Sequence, residues 1–227
     1  MSVMRLSCWV APSTESANMT YQRRSEKESF QAGDFFDKTR RYFDHNLELT
    51  VVKLISGDWY VSTGGEMLVT ILGSCVAACI RDPISGISGM NHFLLPGDLA
   101  REVDASDAAR YGVHAMEQLI NGIMKNGGRK DRLELKLFGG GNVLKNSAMI
   151  GSKNAAFVRE FAQKEDLRIV SEDMEGEWPR RIHFYADSGK VRVRRLQRQE
   201  DMEVLRVERE YEARLKQKPV EGDVELF

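Results

Sequence analysis

One stretch, Met67 to Pro96 (MLVTILGSCVAACIRDPISGISGMNHFLLP), constrains the fold more than any other part of the chain. An apolar run from Met67 to Leu72 meets Gly73-Ser74 and then Cys75. A second apolar run stops at Arg81-Asp82-Pro83, and a third rises through Met90-Asn91-His92-Phe93-Leu94-Leu95. Runs this short, bounded by turn residues, read as strand, tight corner, strand, turn, strand. Asp82-Pro83-Ile84-Ser85 suits a type I turn, with Asp first and Pro second, where its fixed φ fits. A loop centred between Pro83 and Ile84 would pair Arg81 with Gly86, Cys79 with Ser88 and Cys75 with His92. Directly opposite residues share a face, with Cβ atoms about 4.5–5.5 Å apart. The pairing therefore predicts Cys75 Sγ within hydrogen-bond reach of a His92 ring nitrogen, the arrangement that cysteine nucleophilic catalysis uses. A slip of one residue would place the two on opposite faces.

The 227 residues suit one domain with extensions. Formal net charge is −1, so no global charge attracts nucleic acid or an anionic membrane. No apolar run approaches the ~20 residues of a membrane-spanning helix, and the N-terminal residues do not match a secretory signal. The expected location is the cytoplasm, without membrane insertion. The three cysteines, Cys8, Cys75 and Cys79, fit a reducing compartment better than a disulfide framework. His45, His114 and His183 show no paired ligand spacing, so no metal site and no cofactor are expected.

Residues 1–41 are polar and aperiodic, and read as a flexible extension; residues 42–198 form the expected domain; residues 199–227 form a charged helix and tail. Within the domain, strands are expected over Leu47–Ile55, Trp59–Thr63, Leu133–Phe138 and Leu167–Val170. Arg181–Tyr185 and Lys190–Arg194 flank the turn Asp187-Ser188-Gly189 as a hairpin. A helix with Ser106 as N-cap would run to about Lys125, its apolar stripe formed by Met116, Leu119, Ile120, Ile123 and Met124. A second helix starts at Gly151-Ser152 and runs to about Lys164, with Ala156, Val158, Phe161 and Ala162 partly toward the core. His114 reads as surface. Gly139-Gly140-Gly141-Asn142 lacks both dinucleotide and Walker spacing and reads as a tight corner near the site. Arg192, Arg194, Arg195 and Arg198 form a basic cluster with acidic neighbours, read as solvated surface.

Several of these segments resemble one family. Leu72-Gly73-Ser74-Cys75-Val76-Ala77-Ala78-Cys79, the Asp82-Pro83 turn and Gly89-Met90-Asn91-His92-Phe93-Leu94-Leu95-Pro96 are similar to the CheD family of bacterial chemotaxis. So are Lys136-Leu137-Phe138-Gly139-Gly140-Gly141-Asn142, Ile150-Gly151-Ser152-Lys153-Asn154 and Gly189-Lys190-Val191-Arg192-Val193. The resemblance covers roughly residues 51–196. It implies hydrolysis of selected glutamine side chains in methyl-accepting chemotaxis receptors, giving glutamate and ammonia. It also implies an α+β fold, a β-sandwich of mixed sheets with helices on one side, similar to the catalytic fold of cytotoxic necrotizing factors. The family's catalytic set is Cys, His and Thr, which falls here on Cys75, His92 and Thr70, with Val69 at the neighbouring position. Some members also bind a CheC-type phosphatase. The loop Met174–Arg180 fits the family loosely and could touch the receptor.

These residue types suit amide hydrolysis. An imidazole beside a thiol can take its proton, return one to departing ammonia and later activate water against a thioester. Thr70 or a nearby carbonyl would fix the ring tautomer. Asn91, one residue from His92 on a regular strand, points the other way. Backbone N–H groups at Gly73-Ser74-Cys75 are candidate oxyanion donors. Cys79, mid-strand, reads as a small hydrophobe, and Ser74 is a lesser rival nucleophile. A thiol protease or transglutaminase would use the same chemistry. A non-enzymatic adaptor on the receptor array, or a phosphatase regulator, is the alternative of another class.

Overall fold

The computed structural model describes residues 40–95, 105–143 and 150–196, together with residues 206, 210, 211 and 213. Of the expected N-terminal extension, residues 1–39 lie outside them, while Arg41 belongs to the first strand. Ten strands are present among the described residues: β1 (Arg41–Asp44), β2 (Leu49–Lys53), β3 (Trp59–Ser62), β4 (Met67–Leu72), β5 (Val76–Arg81), β6 (Ser88–Phe93), β7 (Glu134–Gly139), β8 (Arg168–Met174), β9 (Arg180–Tyr185) and β10 (Lys190–Arg195). Two helices, α1 (Ala105–Lys125) and α2 (Ile150–Lys164), flank β7. The strands form two five-stranded sheets, β1-β2-β4-β9-β10 and β3-β6-β5-β7-β8. Each is mixed: β2 with β4 and β7 with β8 run parallel, and the other pairs antiparallel. The α+β class and the two sheets agree with the sequence reading.

The central strands explain the continuous apolar runs, because both of their faces are covered. All six residues of β4 are buried. Leu68 and Leu72 face the second sheet, within a cluster that includes Ala77, Cys79, Met90 and Phe184. Met67, Val69 and Ile71 alternate to the other side, against Val51 and Leu196. In β5, Val76, Ala78 and Ile80 join Met116, Leu119, Ile123 and Phe161, so the helices cover the outer face of the second sheet. The layers are therefore sheet, sheet, helices. Gly73-Ser74-Cys75 is the crossing from the middle of one sheet to the middle of the other.

Several expectations need correction. β6 pairs with β5 two residues away from the expected register: Ala77 lies opposite His92, Cys79 opposite Met90 and Arg81 opposite Ser88. The cause is Asp82. Its backbone N–H donates to Ile87 O (2.9 Å) and its carbonyl accepts from Gly86 N (3.0 Å), which makes Pro83–Gly86 a four-residue loop. Asp82 Oδ1 accepts from the amides of Ile84 and Ser85, and Gly86 closes the loop at φ 76°. Oδ2 of this fully buried carboxylate accepts from Arg129 N and Arg132 Nη2. These hydrogen bonds hold its pKa down at about 2 despite burial.

α1 begins at Ala105, so Ser106 lies inside its first turn instead of capping it. Met124 is 42% exposed and falls outside the buried stripe. In α2, Ala155 and not Ala156 is buried. β1 has no alternation that singles it out in sequence, and is recruited as an edge partner of β2. His114 is exposed, as are Arg192, Arg194 and Arg195 on edge strand β10, where charge guards an open edge.

Candidate active site

Strand alternation brings two of the three expected residues together. Thr70 shares the inward face of β4 with Leu68 and Leu72. His92 shares the inward face of β6 with Met90 and Leu94. The two side chains meet across the gap between the sheets: Thr70 Oγ1 lies 2.7 Å from His92 Nδ1. Thr70 Oγ1 also donates to Leu54 O at 2.8 Å. A hydroxyl has one proton, so with that proton on Leu54 O the hydroxyl accepts from His92 Nδ1–H. The relay fixes the tautomer and leaves the lone pair on Nε2. Val69 faces the opposite cluster, so a hydroxyl at that position could not reach the ring. Asn91 is likewise excluded. Its amide accepts from Ala78 N and donates to Ala115 O on the helix side.

His92 is 4% exposed and Thr70 fully buried. Burial lowers the His92 pKa to about 3, so the ring is neutral at neutral pH. Its Nε2 is buried without a hydrogen-bond partner among the described residues. Such an atom is costly unless something else uses it.

Cys75 sits at the crossing, fully buried, in the same inter-sheet cluster as Leu94, Met90 and Leu54. The two-residue register shift preserves the shared face, because strand side chains repeat every two residues. The expected hydrogen bond between Cys75 and His92 is absent. Cys75 Sγ instead lies 3.5 Å from Ser56 Oγ. The reason is the longer loop: the shift places Ala77, not Cys75, opposite the imidazole. Cys79 is also buried and unbridged, and burial pushes its thiol pKa up.

The crossing is held from three sides. Gly140 N donates to Cys75 O at 2.7 Å, Gly141 N to Gly73 O at 2.8 Å and Asn154 Nδ2 to Ser74 O at 2.9 Å. A Cβ on Gly139 would lie 2.1 Å from Cys75 O, and its φ is 106°, so glycine is required there twice over. The triple glycine is thus the tight corner near the site that its composition suggests.

From the other side, Tyr111 on α1 and Tyr211 meet through their hydroxyls at 2.5 Å, and Tyr211 packs on the cluster that contains Cys75. Of the expected C-terminal helix, Arg206, Glu210, Tyr211 and Ala213 are described, and all are helical. Ser56 carried no sequence signal for a role here, whereas Tyr211 belongs to the thin apolar stripe, with Leu205 and Leu215, by which the charged C-terminal helix is expected to dock. Asn154 carried a signal as the last residue of the Ile150–Asn154 segment.

Comparison with known proteins decides the family. A family model described as CheD chemotactic sensory transduction matches residues 94–195. A Rhodopseudomonas palustris protein named "Probable chemoreceptor glutamine deamidase CheD" is 47% identical over 209 residues, 91% of this chain and 97% of that protein. This chain belongs to the CheD family. CheD relatives of the same printed name from Methylobacillus flagellatus and Thiobacillus denitrificans are 45% and 44% identical, each over 83% of this chain and 95% of the relative. The matched CheD region includes the glycine corner and Asn154; Cys75 and His92 both lie before it. No cluster of metal-ligating side chains occurs among the described residues, and no described helix is long and apolar enough to cross a membrane.

Proposed function

We propose that this chain is a chemoreceptor glutamine deamidase that uses Cys75 as nucleophile, His92 as base and Thr70 as the group that orients His92. The observation that carries this reading is the Leu54–Thr70–His92 relay. It presents a neutral imidazole with its free lone pair inside the cluster that contains Cys75.

The chemistry follows from that arrangement. His92 Nε2 takes the thiol proton as Cys75 Sγ attacks the side-chain amide carbon of a receptor glutamine. Apo hydrogen bonds at such sites are often long and tighten in the substrate complex, so Cys75 turns from Ser56 toward Nε2 when substrate binds. The tetrahedral intermediate collapses as the imidazolium gives its proton to the departing nitrogen, and ammonia leaves. His92 then takes a proton from water, which attacks the thioester. The glutamate carboxyl is released and the thiol regains its proton. Thr70 holds the ring throughout and lends dipole to the imidazolium as it forms.

Receptor signalling domains in the cytoplasm are the proposed substrates. The loop between β8 and β9 borders the crossing and presents Trp178, 44% exposed, as a surface for them. A CheC-type phosphatase is a proposed second partner. The sheet–sheet–helix layering supports placing the fold with the cytotoxic necrotizing factor catalytic domains. The test is incubation with receptor cytoplasmic fragments, followed by peptide mass spectrometry. Glutamine-to-glutamate conversion at defined positions is expected. Backbone cleavage or amine incorporation instead would point to a protease or a transglutaminase.

A further inference from the structure

Asn154 is polar, fully buried and placed in the first turns of α2, where an unsatisfied amide would be costly. Both ends of its side chain are used. Nδ2 donates to Ser74 O at 2.9 Å, and Oδ1 accepts from Leu95 N at 2.9 Å. The first contact is the peptide immediately before Cys75. The second lies just past the end of β6, the strand that carries His92. One side chain from a helix therefore ties the segment of the thiol to the segment of the imidazole.

The contact to Ser74 does more than hold position. Ser74 C=O and Cys75 N–H belong to one planar trans peptide and point in opposite directions. Restraining the carbonyl restrains the plane, and with it the position of the Cys75 Cα from which the thiol side chain leaves the corner. The neighbouring carbonyls of Gly73 and Cys75 are held by backbone amides, which no side-chain change would remove. The Ser74 carbonyl is held by a side chain. The approach of α2 that makes this possible needs glycine: a Cβ on Gly151 would lie 2.4 Å from Gly141 O.

We propose that Asn154 is a positioning residue for the reaction, setting the Ser74–Cys75 peptide and its distance from the His92 strand. The inference rests on the proposed role of Cys75. Misplacement of a reacting group by about 1 Å can cost about 100-fold in rate. We expect Asn154→Leu, matched in shape but without polar atoms, and Asn154→Ala each to lower kcat about 100-fold, with KM changed less than about twofold. Rates are expressed per reactive Cys75 thiol, titrated by alkylation in the folded protein. A merely structural residue would reduce the number of reactive thiols and the melting temperature while leaving kcat per thiol unchanged. That result in either folded variant overturns the proposal. Cys75→Ala, run in parallel, separates the two claims: if it keeps activity, the catalytic reading fails. If it is inactive while the Asn154 variants keep wild-type kcat, only the positioning role fails.

Discussion

At the residue scale, the geometry assigns different work to groups that look alike in sequence. Thr70 and Val69 are neighbours in one apolar run, yet only position 70 faces the imidazole. Thr70→Val should lower kcat about 100-fold, the low end of what a positioned acid–base group contributes. It also removes the buried hydrogen bond to Leu54 O, costing about 1–3 kcal/mol of stability. Thr70→Ser should restore most of the rate; steady-state deamidation kinetics and thermal melts check both. His92 makes a separate prediction. Its folded pKa is about 3, against about 6.5 for an unperturbed histidine. Between those values the unfolded chain binds a proton that the folded chain does not, so stability falls as pH falls through that window. Burial, reinforced by Arg181, Arg192 and Arg194, lowers His183 to about 4, which adds to the slope. His92→Asn should flatten the dependence of unfolding free energy on pH between about 6.5 and 3 without abolishing it, as denaturant titrations across that range would show.

At the element scale, the strand–corner–strand unit was legible because its apolar runs are short and sharply punctuated. Its register was not. Turn propensity favoured a two-residue loop, but the buried carboxylate of Asp82 binds two loop amides, Arg129 N and Arg132. Two of these partners lie far away in sequence, so no local rule could supply them. Asp82→Ala removes the buried half of an ion pair and frees those donors, and should cost about 3 kcal/mol or more in equilibrium unfolding. The α1 stripe was read correctly at Met116, Leu119, Ile120 and Ile123, because helical periodicity is local. Edge strand β1 has no local signal in the sequence, because its partner β2 defines it.

At the scale of the whole molecule, the site exists only where the layers meet. Thr70 comes from one sheet, His92 from the other, Cys75 from the crossing between them and Asn154 from the helix layer. The sequence motifs contain Thr70, Cys75, His92 and Asn154, but the place of Ser56 beside the thiol and the cluster on which Tyr211 packs come from folding. Because Tyr211 packs on the cluster that buries Cys75, Tyr211→Ala should speed alkylation of Cys75 by iodoacetamide several-fold, read by labelling kinetics on the intact protein. The measurement that bears most directly on the whole account uses wild-type and Cys75→Ala proteins with receptor cytoplasmic domains, followed by mass spectrometry of receptor peptides. The account predicts that the wild-type protein converts specific glutamines to glutamates and that Cys75→Ala, folded to the same melting temperature, converts none. Conversion at the wild-type rate by Cys75→Ala would contradict it.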